Sequence, residues 1–347
     1  MTHEIAVAVL HPRHPDLQLI PARVGGRKVT VRCGFYRDSA DARNAKAADV
    51  PDDTVRSIEA DTVASTRDAL ASAEVVLALD LPLDVSRLAP RLRWVQAYGA
   101  GVGQLVRVIG GSGVRLTSAA GVSSSFIAEF VMARLLQIAK HLRELDEQQH
   151  GRQWSPLAGE SLSGKTMLLI GLGRIGAEVA RLAGAFGMRV IAVRKRPWLP
   201  APETVELTTD RSHLLAMLPS ADVVVVCAAE TAETARHAPI LGAAEISAMR
   251  AGAVLVNVAR GSLLDQAAAA DALRRKHLAA AVMDVTVPEP LPSDDELWQL
   301  PGSYISPHSA GSGDGYGERV YRLFAENLAL YVSGRPMINV VDMERGY

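Results

Sequence analysis

The sequence has almost no cysteine, few aromatics and no long apolar run, and each shortage excludes a class of protein. Its two cysteines, Cys33 and Cys227, lie far apart without ligand-like spacing. Neither a disulfide framework nor a structural zinc site is expected, and a reducing compartment is the default. The longest apolar stretches, such as Val223 to Ala229, are far too short to span a bilayer. The opening MTHEIAVAVLHPRHP lacks the charged, apolar, small-residue order of a signal peptide. A soluble, cytoplasmic protein with no membrane partner is therefore expected. An excess of one charge is missing too: Lys and Arg number 37 and Asp and Glu 38. That balance argues against nucleic acid or an anionic membrane as a partner. What is present is ordinary for a globular chain, with 48% hydrophobic and 22% charged residues. A length of 347 residues exceeds a single ordinary core, so two domains are expected.

The first part alternates short β-branched runs with polar or helical stretches. Ile5–Leu10, Val29–Cys33, Val75–Leu79 and Trp94–Ala97 read as strands of a helix-covered parallel sheet. From about Ser124 to Gln153 the pattern becomes a long helical one. There Phe126, Ile127, Phe130, Val131, Leu135, Ile138, Leu142 and Leu145 recur at steps of three and four. Ser123, Ser124 and Ser125 offer N-caps. A second series follows, with strands expected over Thr166–Ile170, Arg189–Val193, Asp222–Cys227, Ala253–Val258, Ala279–Val285 and Ser303–Ile305. Their uniformly apolar character predicts a parallel sheet buried on both faces. Helices are expected over Ile175–Phe186 and Leu264–Leu278, and a last one over Gly317–Val332.

The strand ending at Ile170 runs into Gly171-Leu172-Gly173-Arg174-Ile175-Gly176, and a helical pattern follows at once. That context turns a weak glycine spacing into a dinucleotide-binding fingerprint. Gly171 permits the tight turn, Gly173 lets backbone N–H groups approach a pyrophosphate, and Gly176 lets helix and strand pack closely. The helix N-terminus then stabilises the phosphate charge. An NAD site usually has an Asp or Glu at the end of the next strand, for the ribose 2′-hydroxyl. Here Arg194, Lys195 and Arg196 stand there instead. Three cations suit a 2′-phosphate, so NADP(H) is expected to be preferred, with NAD(H) possible. The plainer alternative is a solvated basic loop.

Ligands of open α/β sheets bind beyond the carboxyl ends of strands. Three later strands are followed there by Arg260, by Glu289 in a proline-rich turn, and by His308 in Pro307-His308-Ser309-Ala310-Gly311. Together these suit the interconversion of a 2-oxo and a 2-hydroxy acid. Arg260 can hold the substrate carboxylate through paired hydrogen bonds. His308 can give a proton to the ketone oxygen, or remove one in the reverse direction. Glu289, paired with the far nitrogen of His308, would fix the ring's orientation and favour its charged form. Asp284 is placed to accept a hydrogen bond from the nicotinamide carboxamide. Cys227 reads as a packing residue without a redox role.

These stretches resemble the D-isomer-specific 2-hydroxyacid dehydrogenase family, and the glyoxylate/hydroxypyruvate reductase-like branch within it. The resemblance rests on Gly171–Gly176, Val256–Asp265, Asp284 with Glu289-Pro290-Leu291-Pro292, and Ser306–Gly311. It extends from about Leu92 to Asp342, and the first ninety or so residues carry no sharp motif. It implies an Arg–Glu–His triad at Arg260, Glu289 and His308. It implies also a substrate carboxylate held by backbone amides around Tyr98, Gly99, Ala100 and Gly101. Arg174, Ile175, Val258, Ala259, Asp284, Ala310 and Gly311 would touch the cofactor. The implied fold is a Rossmann-type domain, 123–308, with a discontinuous flavodoxin-like substrate domain, 1–122 and 309–347, as a homodimer. Two departures concern the nicotinamide side: Cys227-Ala228-Ala229-Glu230 replaces the family's Pro-Leu-Thr-like loop, and the Ala235–Leu241 loop is a little long. With no regulatory extension after Asp342, a serine-sensing phosphoglycerate dehydrogenase is not expected. The rival from another class is an NAD(P)H-binding sensor or corepressor-like protein with little turnover.

Overall fold

The computed structural model describes residues 4–11, 16–48, 50–229 and 239–344. Two compact units emerge, Met1–Val122 with Asp314–Tyr347, and Ser123–Gly313. The chain thus re-enters the first unit at Asp314, five residues later than expected from sequence. Residues 309–313 stay with the second unit for local reasons. The N–H groups of Ser309 and Ala310 donate to Asp284. A Cβ on Gly313 would stand 2.6 Å from Phe126, so backbone and ring are packed directly together.

In the first unit β1 (Ile5–Leu10), β2 (Arg23–Val24), β3 (Arg27–Gly34), β4 (Val75–Ala78), β5 (Trp94–Ala97) and β6 (Arg115–Thr117) form a sheet ordered β2-β3-β1-β4-β5-β6. Only β2 is antiparallel, as a hairpin on β3. Without it the order is the flavodoxin-like one, with the chain reversing direction across the sheet at β1. The helix Tyr316–Val332 covers one face, where Val320, Tyr321, Phe324 and Leu328 pack with Ile5, Val7, Val75, Leu77 and Trp94.

In the second unit β7 (Thr166–Ile170), β8 (Arg189–Val193), β9 (Val205–Thr209), β10 (Val223–Val226), β11 (Ala253–Asn257), β12 (Leu278–Met283) and β13 (Ser303–Ile305) form one sheet. It is parallel throughout, in the order β13-β12-β11-β10-β7-β8-β9. The topological switch lies beside β7. Alternate residues feed two separate cores: Leu168, Ile170, Val224, Val226 and Leu255 on one face, Met167, Leu169, Val223, Val225 and Val256 on the other. Two apolar faces explain why these strands read as unbroken hydrophobic runs.

The helical stretch after Ser123 is two helices, Ser124–Ala139 and Leu142–His150, not one. His141 between them is left-handed, at φ 52°. The expected stripe fails where it has nothing to cover: Ile127, Val131 and Leu135 are buried, whereas Leu142 and Leu145 are exposed. The N-cap of the first helix is Ser123, whose side chain makes no capping hydrogen bond. Strands β2, β6 and β9 were not legible, because short or edge strands with a wet side lack an apolar run.

Candidate active site

The glycine turn follows β7 directly. Gly171 has φ +103°, and a Cβ there would lie 2.6 Å from Ala228 backbone atoms. A Cβ on Gly176 would lie 2.4 Å from the Gly171 carbonyl. Both positions therefore need glycine. At Gly173 the opposite holds: a Cβ would meet nothing within 4 Å. Gly173 is also the N-cap of the helix Arg174–Ala185, and no side chain caps it. The first-turn N–H groups of such a helix lack intrahelical acceptors, so this open space suits an anion. The Cys227 thiol donates to the Gly171 carbonyl at 2.9 Å, and burial pushes its pKa up to about 12. It packs the turn and is no nucleophile.

The basic run after β8 divides. Arg194 folds back, its guanidinium donating to the carbonyls of Pro197, Leu199 and Pro200. It holds its own loop, which corrects the expectation of three equivalent cations. Lys195 and Arg196 are exposed.

At the end of β11, buried Asn257 shapes the next turn. Its amide accepts from Ala259 N–H at 3.1 Å and donates to the Arg260 carbonyl at 2.9 Å. Arg260 then precedes a short 3-10 turn, Gly261–Leu263, and its Nη1 donates to the Ala259 carbonyl at 2.6 Å. A Cβ on Gly261 would sit 2.3 Å from the Thr286 carbonyl. Only glycine lets the arginine turn lie against the turn that carries Glu289.

Beyond β12, the Glu289 carboxylate accepts from Thr286 N–H at 3.2 Å and pairs with His308 Nδ1 at 3.0 Å. Burial pushes the Glu289 carboxyl up, but more pulls it down. The hydrogen bond and charge of His308, the Thr286 N–H and the Arg260 charge hold it below the ordinary carboxylate value. Asp284 is buried, and its carboxylate accepts from Ser306 Oγ at 2.6 Å, Ser309 N–H at 2.9 Å and Ala310 N–H at 3.0 Å. These bonds tie the histidine loop to β12. His308 itself is left-handed at φ 51°, a conformation that costs a non-glycine residue about 1–2 kcal/mol. Its N–H bonds to the carbonyls of Asp284 and Ser306 hold it there. The ring is half exposed with Nδ1 on Glu289, which leaves Nε2 for a substrate.

In the first unit the residues singled out from sequence offer backbone groups. Tyr98–Gly101 leave the carboxyl end of β5, and the N–H groups of Gly99, Ala100 and Gly101 make no hydrogen bond among the described residues. Tyr98 stacks on His11 at 4.1 Å between ring centroids, and its carbonyl accepts from the Tyr316 hydroxyl at 2.8 Å.

Residues 132–310, most of the second unit, match the family model described as D-isomer specific 2-hydroxyacid dehydrogenase, NAD binding domain. A glyoxylate reductase of Korarchaeum cryptofilum is 31% identical over 275 residues, covering 76% of this chain and 80% of that protein. One from Aeropyrum pernix is 32% identical over 274 residues, covering 75% and 79%. The chain belongs to the D-isomer-specific 2-hydroxyacid dehydrogenase family. Among solved structures, an NADPH-dependent glyoxylate/hydroxypyruvate reductase of Sinorhizobium meliloti, in complex with NADP and malonate, is 25% identical. It superposes with a TM-score of 0.70, covering 98% of each chain. As a family member the protein is an oxidoreductase, a D-2-hydroxyacid dehydrogenase that uses a nicotinamide cofactor.

The dehydrogenase's own residues fit that cofactor: an open Gly173 at an uncapped helix start is the cradle a pyrophosphate needs. Val258, Ala259 and Ala310 are buried, and Gly311 packs on Ser123 and Ile127. Sequence reasoning gave no role to Asn257, Gly261, Thr286 or Ser306. A buried Asn ending an otherwise apolar strand was the available signal. Of the two departures noted from the family pattern, Glu230 and residues 235–238 lie outside the described residues. Among the described residues no helix is long and apolar enough to cross a membrane.

Proposed function

We propose that this dehydrogenase reduces a small 2-oxo acid of the glyoxylate or hydroxypyruvate type to the D-2-hydroxy acid, with NADPH preferred to NADH. The observation that carries this reading is the His308–Glu289 pair at 3.0 Å beside Arg260, on the sheet edge that bears the glycine turn. Arg260 binds the substrate carboxylate with its planar fork and polarises the adjacent ketone. The free N–H groups of Gly99–Gly101 are the complementary donors for the carboxylate. Nε2 of protonated His308 gives its proton to the ketone oxygen, while Glu289, ionised at neutral pH, keeps the ring turned to do so. The carbonyl carbon would take its hydride from the nicotinamide when that cofactor is bound, so that C=O becomes a hydroxyl. Oxidation runs through the same groups in reverse. Asp284 keeps the histidine loop in place and has one oxygen, Oδ2, with a single donor, available for the carboxamide.

The NADPH preference rests on the exposed positive charges of Lys195 and Arg196 and on likeness to the NADP-bound Sinorhizobium reductase. We infer also a homodimer. Trp154 is fully exposed, and Leu142, Leu145 and Leu157 are exposed on the same stretch, an apolar surface suited to a second copy. Free thiols at Cys33 and Cys227 suit a cytoplasmic setting.

The test is loss of reduced-nicotinamide absorbance with glyoxylate, hydroxypyruvate, pyruvate and larger 2-oxo acids, using each cofactor. NADPH-dependent reduction of one of the small acids is expected. An NADH preference would overturn the basic-loop argument alone. Tight cofactor binding without turnover of any acid would favour the sensor.

A further inference from the structure

The first unit holds a buried charge cluster that the chemistry above does not use. It gathers at the carboxyl ends of β3 and β4. Lys46, on the helix Ala40–Ala47, is almost wholly buried and donates to Asp38 at 2.6 Å, to Glu59 at 3.0 Å and to the Leu81 carbonyl at 2.9 Å. Tyr36 bridges Asp38 and Glu59 at 2.9 Å each; burial, with Asp38 and Glu59, pushes its hydroxyl far up, so it stays a donor. Asp80 is 0% exposed and neither carboxylate oxygen has a hydrogen-bond partner. Its cation is Arg43, 3.7 Å away, whose guanidinium also donates to the Asp38 carbonyl. Three acids, Asp38, Glu59 and Asp80, thus share two bases, Lys46 and Arg43.

The cluster is mechanically tied to the turn with the free amides. β4 pairs with β5 up to Ala78–Ala97, so Asp80 and Tyr98–Gly101 leave neighbouring strand ends. Lys46 holds the Leu81 carbonyl, and Glu59 accepts from Leu83 N–H at 2.7 Å. Gln104, just past the amide turn, donates to the Leu79 carbonyl at 3.0 Å. A Cβ on Gly99 would touch the Leu79 side chain at 3.5 Å.

We propose that Asp80 is a proton-linked positioning residue for the carboxylate-binding turn: binding of the substrate anion at Gly99–Gly101 draws a proton onto Asp80. The inference rests on the carboxylate role proposed for that turn. The sign follows from the charges. An ionised Asp80 leaves the cluster one negative charge in excess, and an incoming carboxylate adds a second beside it. Burial, opposed by Arg43, already raises Asp80 to about 6, so the coupling operates around neutral pH.

The test compares wild type with Asp80→Asn from about pH 5 to about pH 8. The wild-type to variant ratio of KM for the 2-oxo acid should rise from near one to about threefold to tenfold, with the kcat ratio flat, for a coupling of up to about one pKa unit. A structural role alone would not give a pH-dependent KM ratio. Asp80→Asn should also raise Tm at about pH 8, by an amount that shrinks towards about pH 5, because an acid raised by burial costs stability only where it is ionised. Arg43→Gln should move the inflection in KM to higher pH, and serves if Asp80→Asn does not fold. A KM ratio that stays flat, or an inflection unmoved in Arg43→Gln, overturns the inference while the reductase reading stands. Absence of 2-oxo acid turnover at every pH overturns the reductase reading, and the inference with it.

Discussion

The carboxyl edges of the two sheets build their sites from different materials. Beyond β11, β12 and β13 the second unit presents side chains, Arg260, Glu289 and His308, each on a short turn fixed by neighbours such as Asn257, Thr286 and Asp284. Beyond β5 the first unit presents backbone N–H groups at Gly99–Gly101 that make no hydrogen bond among the described residues, with a buried charge cluster behind the adjacent strand end. Side chains can carry charge and protons, whereas amides can only bind. On the proposed reading the proton chemistry falls to the second edge, and the first edge only adds donors for the substrate carboxylate.

The largest effect should come from the second edge. Arg260→Ala removes the paired hydrogen bonds to the carboxylate and should lower kcat/KM by about a thousandfold, while titration finds NADPH affinity almost unchanged. Near-normal turnover would show that the amides of the first edge carry the carboxylate alone. Next comes Glu289→Gln, which keeps the shape but removes the charge that orients His308. A fall in kcat of about tenfold to a hundredfold is expected. Because Glu289 is held below the ordinary carboxylate value, its charge persists as pH falls through the usual carboxylate range. Any acid limb of kcat that it sets must therefore lie lower still, and a limb near neutrality would contradict that. Smaller changes should separate the cations after β8. Replacing Lys195 and Arg196 by Ala should raise the NADPH KM about tenfold with little change for NADH. Arg194→Ala should instead lower Tm by a few degrees, for about 1 kcal/mol of lost carbonyl bonding, and leave cofactor choice nearly intact.

The same contrast explains what the sequence made legible. Strands buried on both faces have one reading, so β7 and β8 fell at the expected residues, and the glycine turn came with them. The Glu289–His308 pair was legible because charged residues after apolar strands are conspicuous. The partners of those side chains were less so. From sequence Asp284 shows only a possible cofactor contact, and its bonds to Ser306, Ser309 and Ala310 emerge in the fold, as do those of Arg194 to its loop carbonyls. Pattern also overran at Leu142, where periodicity continued but no neighbour was there to bury it. Lys46 and Asp80 lie 34 positions apart in the sequence, and only the fold makes them neighbours.

The proposed division of labour gives His308 the proton and other residues the cofactor. It is tested most directly by measuring, on one preparation of His308→Gln, both the turnover of the best 2-oxo acid and the affinity for NADPH. We expect kcat to fall by about a thousandfold or more with affinity within about twofold. Turnover kept within about tenfold of wild type would contradict the account.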